Sequence, residues 1–113
     1  MNTATPARSG GQILVDALVA QGTDTVFCVP GESFLTVLDG LYERRDRIRL
    51  VVCRQEGGAT HMAEAQAKLT GRPGVAMVTR GPGATNASIA VHTARQDSTP
   101  LVLFIGDVAR GDV

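Results

Sequence analysis

Net charge is the first thing this sequence lacks, since eleven Lys and Arg balance eleven Asp and Glu. No field is left to hold a polyanion, which argues against nucleic acid or an anionic membrane surface as the main partner. Long apolar runs are missing as well. The longest, Leu101 to Ile105, is far too short to cross a bilayer, and Met1 to Gly11 carries one Arg and no apolar stretch of the kind a secretory signal needs. A cytoplasmic protein is expected. Cysteine is scarce: Cys28 and Cys53 sit in separate apolar runs and form neither Cys-x-x-Cys nor a metal-ligand cluster. Two reduced thiols in the core are expected rather than a disulfide scaffold. Aromatic residues make up only 4% of the chain, whereas glycine supplies 13 of 113 residues, well above the usual roughly 7%. A chain of this length makes one domain, and two packed domains are excluded.

Four short apolar runs stand out: Thr25 to Val29, Arg49 to Cys53, Val75 to Thr79 and Leu101 to Ile105. Rich in β-branched residues and poor in internal polarity, they suit strands of a parallel sheet covered on both faces. The segments between them carry helical spacing. Leu14, Ala17, Leu18 and Gln21 form one i, i+3, i+4, i+7 set, and Phe34, Val37, Leu38 and Leu41 a second. Ala59, Met62, Ala63 and Gln66 form the third, and Ala87, Ala90, Val91 and Ala94 the fourth. Ser9 with Gln12 reads as a capping box, and Gly22 and Gly71 fall where a helix ends in a left-handed residue. The prediction is α-β-α-β-α-β-α-β: a three-layer α/β fold, a mostly parallel sheet with helices on both faces. Residues 1–9 are expected to be a flexible tail and residues 10–113 the domain.

In such a sheet ligands gather at the carboxyl ends of the strands, so the loops leaving the strands carry the interest. Each has a Gly within four residues: Val29-Pro30-Gly31-Glu32-Ser33, Arg54-Gln55-Glu56-Gly57-Gly58, Arg80-Gly81-Pro82-Gly83-Ala84-Thr85-Asn86, and Gly106-Asp107. Four together point to a binding edge. The third loop falls short of a dinucleotide fingerprint, because Asn86 replaces the last Gly, and it has no Gly-Lys-Ser/Thr of a P-loop. Glu56 opens a helix, where an acid favours the dipole, so position alone allows a purely structural role.

Taken in order, Phe27-Cys28-Val29-Pro30-Gly31-Glu32, Arg54-Gln55-Glu56-Gly57-Gly58-Ala59, His61-Met62-Ala63-Glu64, Thr70-Gly71-Arg72-Pro73-Gly74-Val75, Thr79 to Asn86 and Asp97-Ser98-Thr99-Pro100 resemble one family. It is the N-terminal, pyrimidine-binding domain of thiamine-diphosphate enzymes, in the acetolactate synthase-like group. The resemblance runs from Gly10 to Val108. It implies that Glu56 hydrogen-bonds N1′ of the cofactor's aminopyrimidine, favouring the imino tautomer whose 4′-nitrogen takes the thiazolium C2 proton. It also implies that Pro30 and Gly31 line the ring, that Gly81 and Pro82 belong to the adjoining turn, and that Asn86 bonds either loop backbone or cofactor. His61 and His92 are read as structural.

The same resemblance implies an enzyme acting on 2-oxo acids by decarboxylation, carboligation or both. The diphosphate and its Mg²⁺ would be held by a separate domain of another subunit in a homodimer or homotetramer. No metal ligands are assigned here; FAD, used by acetolactate synthase proper, is compatible but not assignable to these residues. Gln66 and Arg95 depart from the bulky apolar residues usual in the family, and burial of the Gln66 amide without partners would cost roughly 1–3 kcal/mol. The chain ends just after its fourth strand, so the domain is expected to be incomplete at its C-terminus and the isolated chain inactive. Two alternatives stay open: a truncated, non-catalytic binding module and a flavodoxin-like nucleotide binder.

Overall fold

The computed structural model describes residues 7–111; residues 1–6 of the expected tail lie outside the described residues. The first helix, α1 (Gly10–Ala20), begins at Ser9, whose hydroxyl accepts from the Gln12 amide at 3.1 Å while the Gln12 side chain accepts from the Ser9 amide at 2.8 Å. This reciprocal box satisfies two amides that would otherwise lack partners. The helix is released by Gly22 at φ +87°. Then follow β1 (Thr25–Cys28), a 3-10 turn (Glu32–Phe34), α2 (Leu35–Glu43), β2 (Arg49–Val52), α3 (Glu56–Thr70), β3 (Gly74–Val78), α4 (Pro82–Asp97) and β4 (Leu101–Ile105). The strands agree with the expected runs to within one residue at either end.

All four strands are parallel, in the order β2-β1-β3-β4. Alternate residues feed opposite faces, as the strand period requires. Val26, Cys28, Val75 and Met77 join Val15, Phe34, Leu41 and Ile48 in one core beneath α1 and α2, whereas Phe27 and Ala76 join Ala59 and Ala63 in another beneath α3. This is the three-layer α/β arrangement anticipated above. From β1 the chain passes outward to β2; from β3 it passes outward the opposite way to β4. The connections therefore diverge between β1 and β3, the place where a crevice opens at the carboxyl ends of such a sheet.

Three helix faces differ from expectation, those of α3 and α4 by a shift toward small side chains. On α1, Gly11 and Val15 are buried and Ala17 and Gln21 are exposed. On α3, Met62 is 45% exposed, and the buried set is Gly57, Ala59, Thr60, Ala63, Glu64 and Ala67. On α4, Val91 is 40% exposed while Gly83, Ala87, Ala90 and Ala94 are buried. Small side chains let helix and sheet backbones come close, and that proximity outweighs the hydrophobicity of any one Met or Val. Glu64 tolerates burial because Lys68 lies 3.0 Å from it and the Thr99 hydroxyl donates to it at 3.3 Å. Hydrogen bonds to Asp97 and then to Glu64 hold the Lys68 ammonium above its ordinary pKa.

Gln66 is half-buried beside a groove of about 390 Å³, and no buried side-chain polar atom among the described residues lacks a partner, so the expected amide penalty is not incurred. Arg95 is exposed. Cys28 is fully buried on the α1/α2 side, while Cys53 is half-buried toward α3; both are free thiols. No helix among the described residues is long and apolar enough to cross a membrane.

Candidate functional site

The divergence of connections between β1 and β3 places two of the singled-out loops side by side. A crevice of about 540 Å³ is lined by Gly31 and Glu32 after β1 and by Thr79, Arg80, Gly81 and Pro82 after β3. Pro30 is exposed in the same first loop. Gly81 has φ +66°, a backbone state that disfavours any side chain, and it turns the chain directly into α4, whose first residue is Pro82.

Glu56 lies beside this crevice rather than in its lining. It is the first residue of α3, half-buried, and its helix is capped by the Gln55 side chain, which accepts from the Gly58 amide at 2.9 Å. Asn86, one turn into α4 and 30 positions away, donates to Glu56 Oε1 at 3.0 Å. Its amide is thus directed at the carboxylate rather than at loop backbone. Glu56 Oε2 has no hydrogen-bond partner among the described residues. A Cβ placed on Gly83 would lie 3.4 Å from that oxygen and 3.0 Å from Thr79 Cγ2, and a Cβ on Gly57 would lie 3.2 Å from the Asn86 carbonyl oxygen. The glycines at the two helix N-termini are what let the helices converge there and bring Glu56 to Asn86.

The free oxygen of Glu56 is available to one further hydrogen bond, as acceptor when ionised and as donor when protonated. The neighbouring glycines leave backbone open to close approach. No group of three or more His, Cys, Asp or Glu that could hold a metal ion occurs among the described residues. His61 is half-buried and His92 exposed, and neither belongs to such a group. Ser33 and Thr79 were not singled out in the sequence, yet their hydroxyls meet at 2.7 Å across 46 positions. Nothing in local spacing signals that contact; it exists because β1 and β3 are neighbours.

A parallel three-layer sheet with a glycine-lined crevice at its switch point and an acid beside it defines a ligand-binding α/β domain. Residues 8–113 match the family described as thiamine pyrophosphate enzyme, N-terminal TPP binding domain, and the chain belongs to that family. It is 42% identical over 108 residues to the mitochondrial acetolactate synthase catalytic subunit of Saccharomyces cerevisiae, covering 96% of this chain and 16% of the relative. Against the acetolactate synthase of Bacillus subtilis it is 42% identical over 103 residues, covering 91% and 18%. The acetolactate synthase large subunit of Parasynechococcus marenigrum is 41% identical over 104 residues, covering 90% and 17%. The chain spans less than a fifth of the length of each of these relatives.

Proposed function

We propose that this chain supplies the aminopyrimidine-binding part of a thiamine-diphosphate enzyme of the acetolactate synthase kind, acting on 2-oxo acids, with Glu56 as its catalytic residue. The observation that carries the reading is the Glu56 carboxylate, held through Oε1 by Asn86 and left unbonded at Oε2 beside the switch-point crevice. When bound, thiamine diphosphate would supply a nucleophilic carbon and an electron sink for decarboxylation of the 2-oxo acid.

The work of the chain is to hold the pyrimidine end and manage one proton. Glu56 shares a proton through Oε2 with the ring's N1′, and Asn86 keeps the carboxylate from rotating away. Pro30, Gly31, Gly81 and Pro82 flank the ring with exposed backbone and a rigid five-membered side chain. In this reading the diphosphate, its Mg²⁺ and any FAD are held outside these residues. A second subunit of a homodimer or homotetramer provides that domain, and the cytoplasm is the compartment. The relatives' names, catalytic subunit and large subunit, accord with a multi-subunit enzyme.

The test is Glu56→Gln in the assembled enzyme. Turnover is expected to fall by roughly 10²–10⁴-fold, the usual worth of a positioned acid or base, together with the rate of proton exchange at C2 of the bound cofactor. Exchange at the wild-type rate in the variant would refute the role.

A further inference from the structure

We propose that Ser33 and Thr79 form a positioning pair that sets the geometry of the Glu56 site; the inference rests on the cofactor reading above and extends it to two residues with no role so far. The β1–β3 ladder ends at the site. Its last registered pair is Cys28 with Met77, and the next backbone bond, from the Val29 amide to the Met77 carbonyl, is already stretched to 3.4 Å. Beyond it the two crevice-lining loops would be free to separate. The Ser33 to Thr79 hydroxyl bond, at 2.7 Å, spans them at that point. It takes over where the ladder stops.

Both partners are seated by glycines. A Cβ on Gly31 would fall 2.9 Å from Thr79 Cβ, so only glycine there admits Thr79 to the loop after β1. A Cβ on Gly106 would collide with Ser33 Oγ, so the serine is held against the exit of β4 as well. From Thr79 the contacts run on to the catalytic carboxylate. A Cβ on Gly83, in the first turn of α4, would meet both Thr79 Cγ2 at 3.0 Å and Glu56 Oε2 at 3.4 Å, so the two side chains close on the same glycine, and Asn86 on that helix bonds Oε1. The hydroxyl of Thr79 thus fixes the loop after β1 while its methyl fixes the start of α4. A small separation of the loops would shift the crevice wall relative to Glu56, and binding geometry is sensitive to displacements well below the size of an atom.

The test uses the assembled enzyme in Mg²⁺, with Thr79→Val, Thr79→Ser, Ser33→Ala and the Thr79→Val/Ser33→Ala double variant. Three quantities are measured: the Kd for thiamine diphosphate by calorimetry, the C2 proton exchange rate of the bound cofactor, and Tm without cofactor. Thr79→Val and Ser33→Ala are each expected to weaken binding roughly three- to tenfold, the worth of one hydrogen bond, and to slow exchange. The double variant should be no weaker than the poorer single one, because the two side chains act as a unit. Thr79→Ser, which retains the hydroxyl, should stay within about twofold of wild type in Kd. Wild-type Kd and exchange in Thr79→Val, or equal losses in Thr79→Val and Thr79→Ser, would overturn the inference, as would an effect confined to Tm. Failure of the wild-type enzyme to take up thiamine diphosphate would remove the cofactor reading and this inference together; normal uptake with a defective Glu56→Gln and an unaffected Thr79→Val would remove this inference alone.

Discussion

The two faces of the sheet are built from different materials. Beneath α1 and α2 lie Val15, Phe34, Leu41, Ile48 and Met77, side chains whose bulk makes a core. Beneath and between α3 and α4 lie Ala59, Ala63, Ala67, Ala87, Ala90 and Ala94 with Gly57 and Gly83, which bury little apolar surface each. Burial of a large aliphatic side chain stabilises by about 1.5–3 kcal/mol, so the first face carries more stability per residue. The second face provides proximity. Its helices come close enough for Asn86 to bond Glu56 with little room for a Cβ at Gly83, and the Glu56 carboxylate is on that side. One face holds the domain together and the other shapes the site.

Exchanging the character of the faces should separate these roles. Leu41→Ala removes a large side chain that is 1% exposed, and a loss of about 2–5 kcal/mol in urea unfolding is expected, with thiamine-diphosphate affinity within about twofold of wild type. Gly83→Ala adds one methyl group where Thr79 and Glu56 already crowd. Its cost in stability should be smaller, about 1–3 kcal/mol, yet cofactor C2 exchange should slow by about tenfold or more, because misplacement near the reacting atoms is costly. Equal cofactor defects in the two variants would erase the distinction.

The thiols offer a second, smaller contrast. Burial, with the nearby Cys53, pushes the Cys28 thiol from 9.0 up to about 11, and burial also raises Cys53. A raised thiol pKa means that the folded state keeps a proton the unfolded chain releases. The associated stability is complete below about pH 9 and is lost as pH rises toward about 11. Urea midpoints measured from pH 8 to 11 should fall in the wild type and stay flatter in Cys28→Ala, whose baseline is lower. A parallel decline in both would show that Cys28 is not the titrating group.

The smallest effect is expected at the end of α4. Ser98 adopts φ +55°, a left-handed state that costs a non-glycine residue roughly 1–2 kcal/mol. Ser98→Gly relieves this but frees the unfolded chain, which returns about 0.4–1 kcal/mol of the gain. A net stabilisation of about 0.5 kcal/mol, read as a small rise in Tm with C2 exchange unchanged, is the expected result. A fall in Tm would mean that the serine side chain contributes more than its backbone strain removes.

Much of the fold was legible because its signals are local. Ser9 and Gln12 are three residues apart, Gly22 and Gly71 mark helix ends by their own backbone freedom, and each strand is one apolar run. The helix faces were less legible. Hydropathy favoured Met62 and Val91, whereas the sheet and neighbouring helix selected Thr60, Ala67 and Gly83 for their size. Glu64 inside α3 could not be anticipated from its neighbours alone, since Thr99, 35 positions on, shares in satisfying it.

By itself, then, the sequence determined the alternation of strands and helices, the parallel sheet, and the glycine-rich loops that leave it, while the role expected of Glu56 came from the family resemblance of those loops. Those properties depend on backbone preference and periodicity within a few residues. Tertiary structure alone decided that Asn86 fixes Glu56, that Oε2 is left unbonded, and that Ser33 meets Thr79 where the β1–β3 ladder ends. These contacts join positions 30 and 46 residues apart. They exist only once the strand order is set and small side chains allow the helices to close on one another.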